Sequence, residues 1–388
     1  MRYVLCVIMP KNVLIIDSVP NNNKCLISLF NELSRKDYLF YLLSNNSSLF
    51  DQFKTSQWPA KKIYLGPNIL NSKINFLLFL ILSPLILFIC LVYLIGYKYG
   101  KNITSIICLG CNEKIIFTLL AKIMKIRMIW LELPDANYKN LLPPIIWLYK
   151  INSNISSIVA FTDSTKMRLK KITAREEKIK TIHPGIKVNH FEHQDTIFHS
   201  LAHTNKSGFQ KKFFTVGTIV DLSHQQKVEP LLQAIKHCLT VIPNIQLIVV
   251  GDGNEKKTLS WLAKKMEIDS LVWFVGGKNH AQKWLSNFDI FVVTCKDTSM
   301  ADLDTCLYAM SSGLPVIGPK NKDFEDIIRE GENGLLAEAD NSEDLAMQII
   351  NLQQNKRQRL SFGKNSRELA EKNFSISLMA EKFEKLLL

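Results

Sequence analysis

The sequence predicts two doubly wound α/β domains, each built on a parallel sheet, with an apolar helical insertion in the first. Three observations predict this. Short β-rich runs alternate with stretches of helical spacing, the pattern of right-handed strand–helix–strand units. At 388 residues the chain is long enough for two domains of ordinary size. A polar, aperiodic stretch, "EHQDTIFHSLAHTNKSGFQ" (192–210), separates the two alternating patterns and reads as a linker. These boundaries give domains over 1–205 and 210–375, and a C-terminal helix, 376–388, expected to return to the first domain. No repeat shorter than a domain is visible, which argues against a solenoid.

The first strand is "NVLIID" (12–17). The preceding "MRYVLCVIMPKN" has too short an apolar run for a signal peptide and no small-residue cleavage site, so it reads as a leader. Residues 23–37 place Leu26, Leu29, Phe30 and Leu33 at helical spacing. "YLFYLLS" (38–44) and "KKIYLGP" (61–67) follow as strands. After the insertion come strand "TSIICLG" (104–110), helix 113–126, strand "RMIWLEL" (127–133), and strand "SSIVAFTD" (156–163) leading into helix "STKMRLKKI". The second domain repeats the theme. Strands are expected at 212–221, 244–253, 270–277 and 289–295, and helices at 228–242, 255–268 and about "HAQKWLSNF". "AMSSGLPVIG" (309–318) then reads as a helix end, a turn and a buried strand.

The insertion, "FLLFLILSPLILFICLVYLIGY" (76–97), contains no charge and is flanked by Lys73, Lys98 and Lys101. It is long enough to cross a bilayer. Yet it lies between strands of one sheet, and a crossing would put two halves of that sheet on opposite sides of the membrane. A monotopic or re-entrant element bent at Pro84, resting on a membrane surface, is expected instead, ahead of a fully buried helix.

Composition narrows the partners. Forty-eight basic against 35 acidic residues leave +13, which suits an anionic partner such as a nucleotide phosphate or an acidic lipid surface. The basic residues are dispersed and no aromatic–basic motif of the RNA-binding modules is present, so no nucleic-acid partner is expected. Eight cysteines sit mostly in apolar runs, and the Cys108–Cys111 pair lacks a second pair or a His cluster to complete a zinc site. A reducing, cytoplasmic setting on the inner face of the cell membrane fits best.

In open parallel sheets, ligands bind beyond the carboxyl ends of the strands. Three such ends stand out: "VGTIVD" with Gly217, "VVGDG" with Gly251 and Gly253, and "VTCKDTSMAD". Together, "VGTIVDLSHQQKVEPLLQA", "PNIQLIVVGDG", "WFVGG", "FDIFVVTC", "AMSSGLPVIG" and "FEDIIREGENGLL" resemble the C-terminal domain of glycosyltransferase family 4, the "glycosyl transferases group 1" family. The match runs over about 212–375, with the motifs in family order. "VAFTDSTKMRLKKI" and "TIHPGI" resemble the end of that family's acceptor domain.

The resemblance implies the GT-B fold, two Rossmann-like domains facing a cleft. It also implies retaining transfer of a sugar from a nucleotide diphosphate to a lipid-linked or surface-polysaccharide acceptor. No cofactor or bound metal is implied. Of the family's two basic positions, the first falls on Thr218 and is lost, while the second falls on Lys227, which would neutralise the diphosphate. The family's Glu-x7-Glu pair falls on Met300 and Tyr308, the latter on the ribose side. Asp302 and Asp304 lie close by but are displaced along the chain. The backbone of Ser299, Met300, Ala301, Asp302 and Leu303, at a helix start, is left to cradle a phosphate. In the first domain, Asn21 and Asn22 stand where the family has a Gly-rich loop, and Asn112 ends a strand on the acceptor side. Glu132 and Asp135 are the candidate catalytic carboxylates. The missing Glu pair keeps a second expectation open: a catalytically impaired homologue acting as a binding or scaffold subunit.

Overall fold

The computed structural model describes residues 11–18, 24–134, 146, 147, 149, 150, 157–173, 176–188, 213–223, 227–277, 281–295 and 297–387. Asn21, Asn22, Asp135 and the expected linker at 192–210 lie outside the described residues. The chain divides into two compact units, residues 1–185 with 376–388, and 186–375.

The first unit is a seven-stranded sheet in the order β3-β2-β1-β4-β5-β6-β7. Its strands are β1 (Lys11–Asp17), β2 (Tyr38–Ser44), β3 (Ala60–Lys62), β4 (Ile103–Cys108), β5 (Arg127–Glu132), β6 (Ser157–Ala160) and β7 (Ile179–Thr181). Every pairing is parallel. The central strands are apolar runs because helices cover both faces, so Val13, Leu14, Ile15 and Ile16 are all fully buried. The helices are α1 (Lys24–Ser34), α2 (Ser47–Thr55), α3 (Lys73–Lys101), α4 (Cys111–Ile123) and α5 (Asp163–Lys170).

The second unit holds six parallel strands in the order β10-β9-β8-β11-β12-β13. They are β8 (Phe214–Ile219), β9 (Ile245–Val250), β10 (Val272–Val275), β11 (Ile290–Val292), β12 (Val316–Pro319) and β13 (Gly334–Ala337). Its helices are α6 (Glu229–Cys238), α7 (Lys256–Lys265), α8 (Ala281–Leu285), α9 (Met300–Ser311), α10 (Lys322–Glu325), α11 (Ser342–Gln354) and α12 (Lys356–Asn373). A last helix, α13 (Ile376–Leu387), belongs to the first unit, where its buried Met379, Phe383 and Leu386 pack beside α1. Both sheets reverse strand order once, between β1 and β4 and between β8 and β11. Such switch points are where doubly wound sheets bind ligands.

Two local expectations change. The third strand is three residues, not the seven of 61–67, because the chain turns away at Gly66. That residue has φ +87°, and a Cβ there would lie 2.8 Å from the Phe79 ring. The apolar insertion is one helix from Lys73 to Lys101 and passes through Pro84 without a break. Proline has no N–H for the Leu80 carbonyl, and the Ser83 hydroxyl donates to that oxygen instead at 2.8 Å. Asn102, left-handed at φ 51°, ends the helix and leads directly into β4.

Candidate functional site

A shallow, open hollow lies at the carboxyl ends of β11, β12 and β13. Its floor comes from Val293 to Cys295 after β11 and from Gly318 and Pro319 in β12. Lys227, on the connection from β8 to α6, lines it beside the β8/β11 switch point. Lys227 is exposed and sits at φ 45°, a left-handed backbone uncommon for a side chain of this size. Glu338 and Asp340 also line it. Glu338 is ion-paired with Lys320 at 3.1 Å, so much of its charge is answered locally.

The head of α9 is built differently from the expectation. Ser299 caps the helix, and the Asp302 carboxylate accepts from the Ser299 amide at 2.9 Å and from its hydroxyl at 2.6 Å. The Asp302 amide donates back to Ser299 Oγ at 3.3 Å. Three of the amides expected to cradle a phosphate, those of Ser299, Asp302 and Leu303, are therefore already bonded, and a carboxylate sits where an anion was expected. Met300 and Leu303 are buried, and Ala301 is half-buried. Tyr308 is half-buried, about 12 Å along the helix from its head.

The three glycines named from the sequence, Gly217, Gly251 and Gly253, have packing causes. A Cβ at Gly217 would lie 2.1 Å from the Phe288 ring, and the neighbouring Thr218 is buried in β8. Gly251 and Gly253 have φ of +152° and +157°, and a Cβ on either would overlap the carbonyl of Val220 or Leu222. Here the loops after β8 and β9 approach too closely for any side chain. None of these four residues lines the hollow.

In the first unit, Glu132 ends β5 as expected but is 1% exposed. Lys114 Nζ lies 2.9 Å from its Oε1, and the Tyr149 hydroxyl donates to the same oxygen at 3.1 Å. Lys114 also donates to the Leu131 carbonyl at 2.8 Å. Buried and ion-paired in this way, the carboxylate fastens the end of β5 to the start of α4, whatever it does towards a substrate. Asn112 is likewise spent. Its amide donates to the carbonyls of Leu65 and Pro67 at 3.0 and 2.8 Å, fastening the loop that leads into α3.

One further cluster is built on Glu113, which the sequence "GCNEK" (110–114) offers either as a cleft-lining residue or as a cap for the following helix. Glu113, fully buried, accepts from the Ser18 amide at 3.0 Å, the Ser18 hydroxyl at 2.6 Å and the Gly110 amide at 2.5 Å. It thereby ties the loops after β1 and β4 at the switch point of the first sheet. Burial pushes its carboxyl above the ordinary range, against the lowering effect of those hydrogen bonds. The place of Glu113 at a strand end and helix start is legible in the sequence, and the burial of Glu113 and Lys114 is not. The Cys111 thiol is pushed up to about 12 by burial, which suits packing and not redox work. Among the described residues, no group of three His, Cys, Asp or Glu side chains is placed to hold a metal ion.

Residues 201–369 match the family model for glycosyl transferases group 1. The chain is 26% identical over 159 residues to N-acetyl-alpha-D-glucosaminyl L-malate synthase of Bacillus anthracis, a match covering 41% of each chain. It is 24% identical over 146 residues to the lipopolysaccharide core biosynthesis glycosyltransferase LpsE of Rhizobium meliloti (strain 1021), covering 38% of this chain and 42% of that protein. These matches span about two fifths of the length of the curated relatives. Among solved structures, Anabaena Alr3699/HepE in complex with UDP superposes with a TM-score of 0.77 at 17% identity, covering 98% of this chain and 99% of that one. The likeness in structure extends over both units and identifies the fold class as GT-B.

Proposed function

We propose that this chain is a glycosyltransferase. It takes a sugar from a nucleotide diphosphate held by the second unit and delivers it, with retention of configuration, to a polysaccharide or lipid-linked acceptor at the cytoplasmic membrane face. The observation that carries the reading is Lys227, a cation at the rim of a hollow beyond the carboxyl ends of the strands. The group 1 match over the same unit, the UDP in the HepE structure and the acceptor class named for LpsE support it.

The chemistry asked of the site is modest. As the glycosidic bond breaks, its electron pair moves onto the diphosphate, and a nearby ammonium group lowers the energy of that charge. The acceptor hydroxyl bonds to the anomeric carbon on the face from which the diphosphate departs, which retains configuration, and its proton passes to the departing diphosphate oxygen. In this reading Lys227 supplies the counter-charge and no metal is needed, so turnover persists in a chelator. Titration of UDP, GDP and their sugars against the purified chain tests donor binding. Saturable binding that weakens on replacing Lys227 supports the proposal, and complete absence of binding removes it. The anomeric configuration of the product, read by NMR, tests retention.

A second reading rests on Asp302. Its carboxylate occupies the head of α9, and the positions of the family's Glu pair hold Met300 and Tyr308. A homologue that kept the fold and lost donor binding would look like this, and the same titration separates the two.

A further inference from the structure

Helix α3 is apolar on two opposite faces. Phe79, Ile86, Cys90 and Leu94, spaced by seven, four and four, are buried within the first unit. On the other side Leu78, Ile81, Leu85, Phe88, Val92 and Ile95 recur every three or four residues, and all are exposed. Ile81 is 67% and Phe88 66% exposed. Helix α4, which packs against α3, also exposes Leu119 and Ile123. An exposed apolar row running the length of α3 marks an interaction surface.

The surrounding charge says what covers it. Between residues 60 and 127 there are nine lysines and arginines and one acid, Glu113. Glu113 and Lys114 are buried, so eight cations and no acid remain outside the core of this stretch. Lys73 and Lys101 mark the two ends of the helix, and Lys61 lies 4.6 Å over the Tyr93 ring beside its middle. An apolar row that is flanked along the chain, outside the core, only by cations fits an acidic lipid surface.

Topology fixes the orientation. At 29 residues α3 is about 43 Å long, more than the roughly 30 Å of a bilayer's hydrocarbon. It cannot cross, because β3 before it and β4 after it belong to one sheet and its inner face is packed along that unit. The Leu80 carbonyl, orphaned by Pro84, is bonded by Ser83 and so enters an apolar phase satisfied.

We infer that α3 lies in the plane of an acidic bilayer, with the Ile81–Phe88 side among the lipid chains and the flanking lysines on the headgroups. This deepens the membrane-face part of the proposed function, on which it rests, and is independent of the donor chemistry. The test uses the full chain with phosphatidylcholine vesicles, with or without about 30% phosphatidylglycerol. Sedimentation with the acidic vesicles is expected, at least about tenfold weaker on neutral vesicles. The double variant Ile81→Asp/Phe88→Asp, at exposed positions, is expected to lose about tenfold or more in vesicle binding. Its thermal melt and UDP titration should remain those of the parent. On vesicles, cysteines introduced as Ser72→Cys and Gly100→Cys should both react with an impermeant maleimide, while Phe88→Cys is shielded. Equal vesicle binding by the double variant, or no binding to either vesicle, overturns the inference. So does shielding of only one helix end, which would mean a crossing helix. A soluble dimer that shields Phe88→Cys without lipid would overturn it in favour of a second copy of the chain.

Discussion

Lys114 Nζ lies 2.9 Å from Glu132 Oε1, and both side chains are buried. The pair joins the first turn of α4 to the end of β5, and Tyr149 completes it. Removing one partner of such a pair leaves a buried charge unanswered, whereas removing both leaves none. Glu132→Gln and Lys114→Met should each cost about 3–5 kcal/mol of unfolding free energy. Glu132→Leu combined with Lys114→Met should cost less than either single change. Denaturant melts of the three variants measure this. Full stability of Glu132→Gln together with lost turnover would favour the catalytic role.

Lys227 combines strained backbone with the cation placed at the hollow. Glycine takes φ 45° without penalty, so Lys227→Gly separates the two properties. The variant should be no less stable than the parent, while UDP binds about 10- to 100-fold more weakly, the worth of one charge-assisted hydrogen bond. Calorimetric titration reads the affinity. Unchanged affinity would remove Lys227 from the donor site.

Periodicity carried most of the architecture, and for a physical reason. Runs such as "NVLIID" and "QLIVV" are buried on both faces, so their signal does not depend on knowing the neighbours. The short elements were less legible. β3 keeps three residues because Gly66 and the Asn112 clamp redirect the chain, which only the fold reveals. The site was legible as strand ends and not as side chains. Glu132 has the sequence of an exposed catalytic carboxylate, but Lys114, 18 residues earlier, comes to lie beside it. Gly251 and Gly253 read as phosphate-loop glycines, and a neighbouring loop's carbonyls account for them equally well.

Gly251→Ala should therefore be costly whatever the donor. The new Cβ would stand 1.8 Å from the Val220 carbonyl oxygen at φ +152°, and backbone cannot yield as a side-chain tip can. A loss of more than about 2 kcal/mol is expected in a urea melt. A loss within about 0.5 kcal/mol, the range of an ordinary surface change, would mean the two loops separate easily.

Asp302 sets a contest between fold and ligand at the head of α9. Its carboxylate caps the helix, so Asp302→Ala should lower stability by about 1 kcal/mol. The same change removes a negative charge from a helix start, where a diphosphate gains from the dipole. If the donor reaches that helix, UDP binds the variant more tightly than the parent. Weaker binding would show that Asp302 itself contacts the nucleotide.

Glu113 gives a pH dependence whose sign is fixed. Burial is the largest influence on its carboxyl and outweighs the hydrogen bonds from Ser18 and Gly110, so the folded pKa lies above the ordinary 4.5. The folded state then binds more proton than the unfolded chain, and the stability this contributes is complete below 4.5 and is lost as pH rises through the raised value. Glu113→Gln keeps an acceptor at the position but cannot titrate. The stability of the parent relative to this variant should therefore fall as pH rises from 4.5 through the raised value, and level off above it. Paired urea melts across that window measure the difference, and the other carboxylates, common to both proteins, cancel. A gap that widens with rising pH would show that the Ser18 and Gly110 donors hold the ionised form more strongly than burial disfavours it.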